Sequence, residues 1–123
     1  MISISPVADR ERLEALYLKS GVKFSEFSCA VAACDRDEVL GYCLFELYEK
    51  GITVTYLEPQ DDIMLADGIL RSALHVAAQR SAMDAHYSEN LDESIFEKLG
   101  FILSKEDKSL DIDKLFGGCC CKK

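Results

Sequence analysis

The chain has 123 residues, which suits one hydrophobic core of roughly 100 to 150 residues and leaves little room for a second domain. Hydrophobic residues make up 49% of it, but no apolar run approaches the roughly 20 residues of a membrane helix, so we expect a globular cytoplasmic protein without a membrane partner. The formal charge of −8 argues against nucleic acid as a partner, because affinity for phosphates comes mainly from Lys and Arg.

The first half of the chain predicts a strand, a helix and a three-stranded meander. Alternating apolar residues indicate a strand at 2–7, and a helix follows from a cap at Asp9 to a left-handed end at Gly21. The polar turns that come next are short enough for antiparallel hairpins. They separate three predicted strands at 27–34, 39–48 and 52–57.

The second half begins with the strongest helical periodicity of the sequence, from Asp62 to Ser81, with Asp61 or Asp62 as its cap. Gly68 in this helix is interpreted as a site of close packing. The remaining predicted elements are a strand, a helix ended by a glycine, a strand and a last edge strand, at 82–87, 91–99, 101–103 and 110–116. A helix between the meander and the next strand favours a parallel crossover, so the fold class is α+β.

The stretch from Val39 to Phe101 resembles the central part of a GNAT domain, the acyl-CoA N-acyltransferase family. The third and fourth strands of that family resemble VLGYCLFELYEKGITVTYLEP, the helix after its pyrophosphate loop resembles GILRSALHVAAQRS, and its next helix with the closing Leu-Gly-Phe resembles ENLDESIFEKLGF. The resemblance implies a mostly antiparallel twisted sheet of about six to seven strands, flanked by about three helices. It also implies that a bulged fourth strand splays from the fifth and that acetyl-CoA lies in the cleft between them.

The phosphate loop of that family reads Gln or Arg, two free positions, Gly, one free position, and Gly or Ala. On this chain the six positions fall on Asp61, Asp62, Ile63, Met64, Leu65 and Ala66, so only the last small residue is retained. The resemblance places Met64, Leu65 and Ala66 beside the diphosphate of acetyl-CoA, at a helix N-terminus. Asp61 and Asp62 offer carboxylates to the same backbone N–H groups and disfavour the phosphates by about 1 kcal/mol or more.

The resemblance also assigns the reacting end of the cleft. The backbone of Tyr56 or Leu57 at the bulge is expected to hydrogen-bond the thioester carbonyl. Glu58 is the first candidate for the general base and Glu46 the second, since a base must lie near the attacking amine.

The tyrosine that protonates the departing thiolate in many members of the family falls on Phe96, which cannot donate a proton. Phe96 is therefore expected in the core, with only its ring retained beside the cofactor. Tyr87 on the neighbouring strand is the substitute acid, with a purely structural role as the alternative. Asn90 matches an asparagine of the family, or is a helix cap.

Six cysteines fall into two groups. Cys29, Cys34 and Cys43 lie in apolar stretches, where a reduced thiol packs as a small hydrophobe, so we expect them to be buried and free. The segment 117–123, with three contiguous cysteines, is interpreted as a flexible tail outside a single domain of residues 1–116. Three contiguous thiols do not easily reach one tetrahedral centre, so no metal site is predicted, and soft-metal or redox chemistry of the tail is left open.

Two functions follow from the resemblance. The first is an N-acetyltransferase that moves an acetyl group from acetyl-CoA to a small-molecule or peptide amine. The second is a non-catalytic GNAT-like module that has lost the phosphate loop and binds another ligand or a protein. A homodimer is left open as the assembly.

Overall fold

The computed structural model describes residues 2–59, 61–80, 84–89, 91 and 93–112. Strands and helices follow one another within these ranges in the predicted order. They are β1 (Ile2–Pro6), α1 (Arg10–Ser20), β2 (Ser28–Asp35), β3 (Glu38–Leu47), β4 (Gly51–Glu58), α2 (Ile63–Gln79), β5 (Asp84–Tyr87), α3 (Ser94–Leu99), β6 (Ile102–Ser104) and β7 (Ser109–Leu110). In this part of the chain no helix has the length and apolar character needed to cross a membrane.

The strands form one sheet in the order β1-β2-β3-β4-β5-β7-β6. The β4–β5 pair is parallel and every other pair is antiparallel, which confirms the predicted fold class and the parallel crossover through α2. The prediction that 110–116 forms an edge strand is wrong for the part described. A hairpin turn at 105–108 places β7 between β5 and β6, so β6 takes the edge, and 113–116 lies outside the described residues. The tail at 117–123 and the proposed domain boundary lie outside them as well.

Alternation along the strands divides the core into two layers. One face packs against α2 and α3, and Val31, Phe45, Val54 and Leu57 belong to it. The other face packs against α1 through Tyr17, Ala32, Tyr42 and Leu44.

The three described cysteines are free, as predicted. Cys43 is fully buried, and burial raises the pKa of its thiol above the ordinary value. Cys29 and Cys34 are only half-buried, so the prediction of burial is wrong for them. Both belong to β2 but to opposite faces: Cys29 packs at the margin of the layer under α2, and Cys34 at the margin of the layer under α1.

The helix ends follow the predicted capping chemistry. The Asp9 carboxylate accepts the Glu11 N–H at 3.0 Å, and Gly21 ends α1 in the left-handed region at φ 72°. Within α2, a Cβ atom on Gly68 would lie 3.1 Å from Ile4 Cδ1 of β1. This close approach confirms the packing role predicted for Gly68.

Candidate functional site

The fourth strand carries a bulge, as the resemblance implies. The register pairs Leu44 with Tyr56 and Phe45 with Val54, so Thr55 is an extra residue on β4. The Thr55 hydroxyl donates to the Leu44 carbonyl at 3.1 Å and thereby fixes the bulge to β3. The bulge changes the direction of β4 at its midpoint.

Pairing between β4 and β5 ends just before this bulge. Their parallel pairing runs from Gly51 with Asp84 to Val54 with Tyr87, and its last hydrogen bond joins Ser88 N–H to the Val54 carbonyl at 2.8 Å. No residue of β5 in the described chain pairs with β4 after Val54. The second half of β4, which includes Tyr56 and Leu57, therefore has no β5 partner along the side of its backbone that faces away from β3.

Glu58 lies at the carboxyl end of β4 and is held there by a tyrosine. Tyr56 donates its hydroxyl proton to Glu58 Oε1 at 2.6 Å, and this hydrogen bond is the main cause that raises the pKa of Tyr56 above its ordinary value. The Tyr56 ring stacks on Tyr42 with centroids 5.4 Å apart, and the Tyr42 hydroxyl lies 2.7 Å from Ser20 Oγ of α1. The half-buried Glu58 carboxylate therefore sits in a polar cluster on the α1 face of the sheet.

Sequence reasoning gave Tyr56 only a backbone role and missed its hydroxyl. Residues two apart on a strand share a face, so the spacing of Tyr56 and Glu58 already carries this signal. The second base candidate, Glu46, accepts a hydrogen bond from Tyr48 at the opposite end of β3, where it pairs with Thr53. The segment of β4 beyond its pairing with β5 therefore ends at Glu58, and Glu46 lies away from it.

Tyr87 and Phe96 lie on the other face of the sheet. Their rings stack with centroids 4.8 Å apart, and both are buried in the layer under α2 and α3, which agrees with the core role predicted for Phe96. The Tyr87 hydroxyl donates to Glu93 Oε2 at 3.1 Å, and burial, followed by this bond, raises the pKa of Tyr87. The side chains of Glu58 and Tyr87 are thus on opposite faces, and Asn90 lies outside the described residues.

The amino end of α2 is capped by the chain itself. Asp62 Oδ1 accepts the Leu65 N–H at 3.1 Å, and the Asp62 carbonyl accepts the Ala66 N–H at 2.9 Å. Ala66 is buried, whereas the Met64 side chain points outward and is 86% exposed. A carboxylate therefore occupies the Leu65 N–H, one of the groups that the resemblance assigns to a phosphate.

An open groove of about 990 Å³ lies beside this helix end, and we call it the acidic groove. Asp61 and Asp62 contribute its charge. Its apolar lining comes from Ile2, Leu40, Pro59, Ile63, Met64 and Leu65. Gly41 permits the approach of Pro59, because a Cβ atom there would lie 2.6 Å from Pro59 Cδ.

The two ends of an acyl-CoA fit this surface differently. The second half of β4 pairs with β3 but not with β5, and backbone groups on its β5 side would suit a thioester and its extended arm. The amino end of α2 is electrostatically unfavourable for a diphosphate, because Asp62 occupies the Leu65 N–H and the carboxylates of Asp61 and Asp62 line the same groove. No Lys or Arg of the described chain lines the groove to offset them.

Within the described ranges, no three His, Cys, Asp or Glu side chains come together as a metal site.

A seven-stranded sheet with one parallel pair, a bulge in β4 and helices on both faces is the fold of the GNAT acetyltransferases. Tetrahymena GCN5 matches with a TM-score of 0.61 at 12% identity, over 85% of this chain and 84% of that one. The ribosomal-protein-alanine N-acetyltransferase of Brucella melitensis biovar Abortus 2308 gives a TM-score of 0.60 at 13% identity, over 85% of this chain and 92% of that one.

A third solved structure is a mutant of the AtaT toxin bound to the C-terminus of the antitoxin AtaR and acetyl-CoA. It matches with a TM-score of 0.59 at 18% identity, over 94% of this chain and 98% of that one. No protein-family model and no curated protein matches the sequence. At these identities the likeness shows the fold and not the activity.

Proposed function

We propose that the protein is an N-acyltransferase that moves an acetyl group from a thioester to an amine. The observation that carries the proposal is the end of β4–β5 pairing at the Thr55 bulge, with the Glu58 carboxylate at the carboxyl end of the β4 segment that β5 leaves unpaired. A thioester needs such an open strand, because a fully paired β4 has no backbone group to offer. Acetyl-CoA is the donor that the fold implies, and a fold neighbour was solved with it.

Each residue has a defined task in this proposal. The backbone N–H of Tyr56 or Leu57 stabilises the negative charge that develops on the thioester oxygen. Glu58 accepts the proton of the attacking amine on the α1 face, and the Tyr56 hydroxyl orients its carboxylate. The new C–N bond then forms as the C–S bond breaks and the thiolate leaves.

A separate proton donor for the thiolate is not essential. A thiol has an ordinary pKa of about 8.5, so the thiolate leaves at little cost near neutral pH. Tyr87 is the proposed proton donor to the thiolate, although its hydroxyl already donates a hydrogen bond to Glu93. The Phe96 ring stacks against the Tyr87 ring.

The chain contains a matched pair of variants for testing Glu58. The Glu46 carboxylate also accepts a bond from a tyrosine two residues away, but it lies at the opposite end of the sheet. Release of free thiol from acetyl-CoA is measured with a panel of small amines and peptide amines. We expect E58Q to lower kcat/KM by about 100-fold or more and E46Q to leave it within about twofold. Equal effects of the two substitutions would remove Glu58 from the mechanism.

A second function, a non-catalytic binding module, is favoured by the capped end of α2. Asp62 fills the position where a phosphate would bind, and Phe96 stands where the family has an acid. This function predicts no thiol release with any amine from a folded protein, and no stabilisation by acetyl-CoA in thermal unfolding. The homodimer and the cytoplasmic location stay predictions.

A further inference from the structure

We propose that the acidic groove binds a short peptide segment of a partner protein, one that carries an apolar side chain next to Arg or Lys. This site lies at the amino end of α2 and beside β1, away from the Glu58 cluster on the α1 face. The proposal does not depend on acyl transfer.

The first argument is the exposed apolar surface. Met64 is 86% exposed and Ile2 is 51% exposed, and both line the same groove. Single exposed apolar side chains are common, but a group of them around one concave surface marks an interaction site. The unbranched Met64 side chain also adapts its shape to different apolar partners.

The second argument is charge. Asp61 and Asp62 both line the groove, which no Lys or Arg of the described chain enters. A carboxylate accepts several hydrogen bonds, so the cap to Leu65 leaves Asp62 able to bind a cation. Lys98 lines a smaller neighbouring cavity with Asp67 and is not among the residues that line the groove.

The third argument concerns the kind of ligand. The same two carboxylates disfavour phosphates and carboxylates, and the total charge of −8 attracts cationic partners from a distance. A small cation would leave the apolar lining uncovered. A peptide that alternates apolar and basic side chains does both: its apolar side chains cover the lining, and its basic side chains pair with the carboxylates.

The probe is a fluorescein-labelled peptide of about ten residues in which Leu and Arg alternate, with a blocked amino terminus. Arg replaces Lys so that the probe offers no primary amine to an acyltransferase. A second peptide replaces every Leu by Ser and keeps the charge. Binding is followed by fluorescence anisotropy with no acyl donor present, so a failure here says nothing about acyl transfer.

Two variants of the groove are compared with two matched variants elsewhere. D61N/D62N removes two charges and keeps the helix cap, because Asn caps as well as Asp. E26Q/E49Q removes two charges from exposed positions at the opposite end of the sheet. M64S is matched by L103S, since Leu103 is also exposed but lies on β6.

We expect D61N/D62N to weaken binding about four- to twenty-five-fold, at roughly two- to fivefold for each rim charge. We expect M64S to weaken it about threefold or more, while both matched variants stay within about twofold. The proposal is overturned if groove and matched variants bind alike, if the Ser peptide binds as tightly as the Leu peptide, or if neither peptide binds.

Discussion

Substitution of Asp61 and Asp62 tests what the amino end of α2 does to a phosphate-bearing ligand. The Asp62 carboxylate both carries charge and occupies the Leu65 N–H at 3.1 Å, and two different variants separate these effects. D61N/D62N removes the charge and leaves the N–H occupied. D61N/D62G removes the charge and also frees the N–H for a phosphate oxygen, at a cost of only a few tenths of a kcal/mol in helix capping.

The magnitude follows from the position of the two charges. Each charge at a helix N-terminus contributes about 0.3 to 1 kcal/mol, so D61N/D62N is expected to tighten CoA binding about 3- to 30-fold. A freed N–H that binds a phosphate contributes about a further 1.5 kcal/mol, or roughly tenfold, in D61N/D62G.

Calorimetric titration with CoA measures these affinities, and E26Q/E49Q is the control for loss of the same net charge. The advantage of D61N/D62N over the wild type should shrink between about 0.1 M and about 1 M NaCl, because salt screens exposed charges. Equal affinities in the wild type and both variants would refute the account of Asp61 and Asp62. A gain of the same size in E26Q/E49Q would show that net charge, and not position, controls CoA binding.

Three further predictions concern the tyrosines. Y56F removes the hydrogen bond to Glu58 and is expected to lower kcat about tenfold with KM for the donor unchanged, measured by thiol release; an unchanged kcat would mean that Tyr56 does not orient the base. Y87F is expected to lower kcat less than about tenfold, whereas a loss of about 100-fold would assign it the proton of the thiolate. Burial raises the pKa of Tyr17 from 10.0 to about 12, so its stabilising effect is complete below pH 10.0 and is lost as pH rises to about 12. Urea unfolding should show a loss across that range that is larger in the wild type than in Y17F by on the order of 2 to 3 kcal/mol, because the other groups with raised pKa values titrate in both proteins.

The order of elements was predictable because each one has a strong local signal. The stripe on α2 and its cap at Asp62 are local, and the structure confirms both. The place of β7 in the sheet was not predictable in the same way. Ser109–Leu110 is too short to reveal by its pattern that it pairs with β5 on one side and β6 on the other.

The candidate site also has features that the sequence predicts and features that it does not. The position of Glu58 at the strand end and its spacing from Tyr56 are readable from the sequence, since both follow from the strand period. The bond from Tyr87 to Glu93 is not readable, because it joins the end of β5 to the residue before α3 and depends on how the chain between them runs. The partial exposure of Cys29 and Cys34 likewise depends on how far the helices cover the two faces of β2.

The cap at Asp62 explains how the fold can persist with a poor diphosphate site. The first N–H groups of any helix lack partners within the helix, and a bound phosphate satisfies them only while the ligand is present. Asp62 satisfies the Leu65 N–H at all times, so α2 does not need a ligand to complete its first turn. In D61N/D62G, the helix end should depend on the ligand. The ligand-free variant should unfold at a slightly lower temperature than the ligand-free wild type, and saturating CoA should raise the Tm of the variant more than that of the wild type. A parallel shift of both proteins with CoA would mean that the cap and the ligand do not share this helix end.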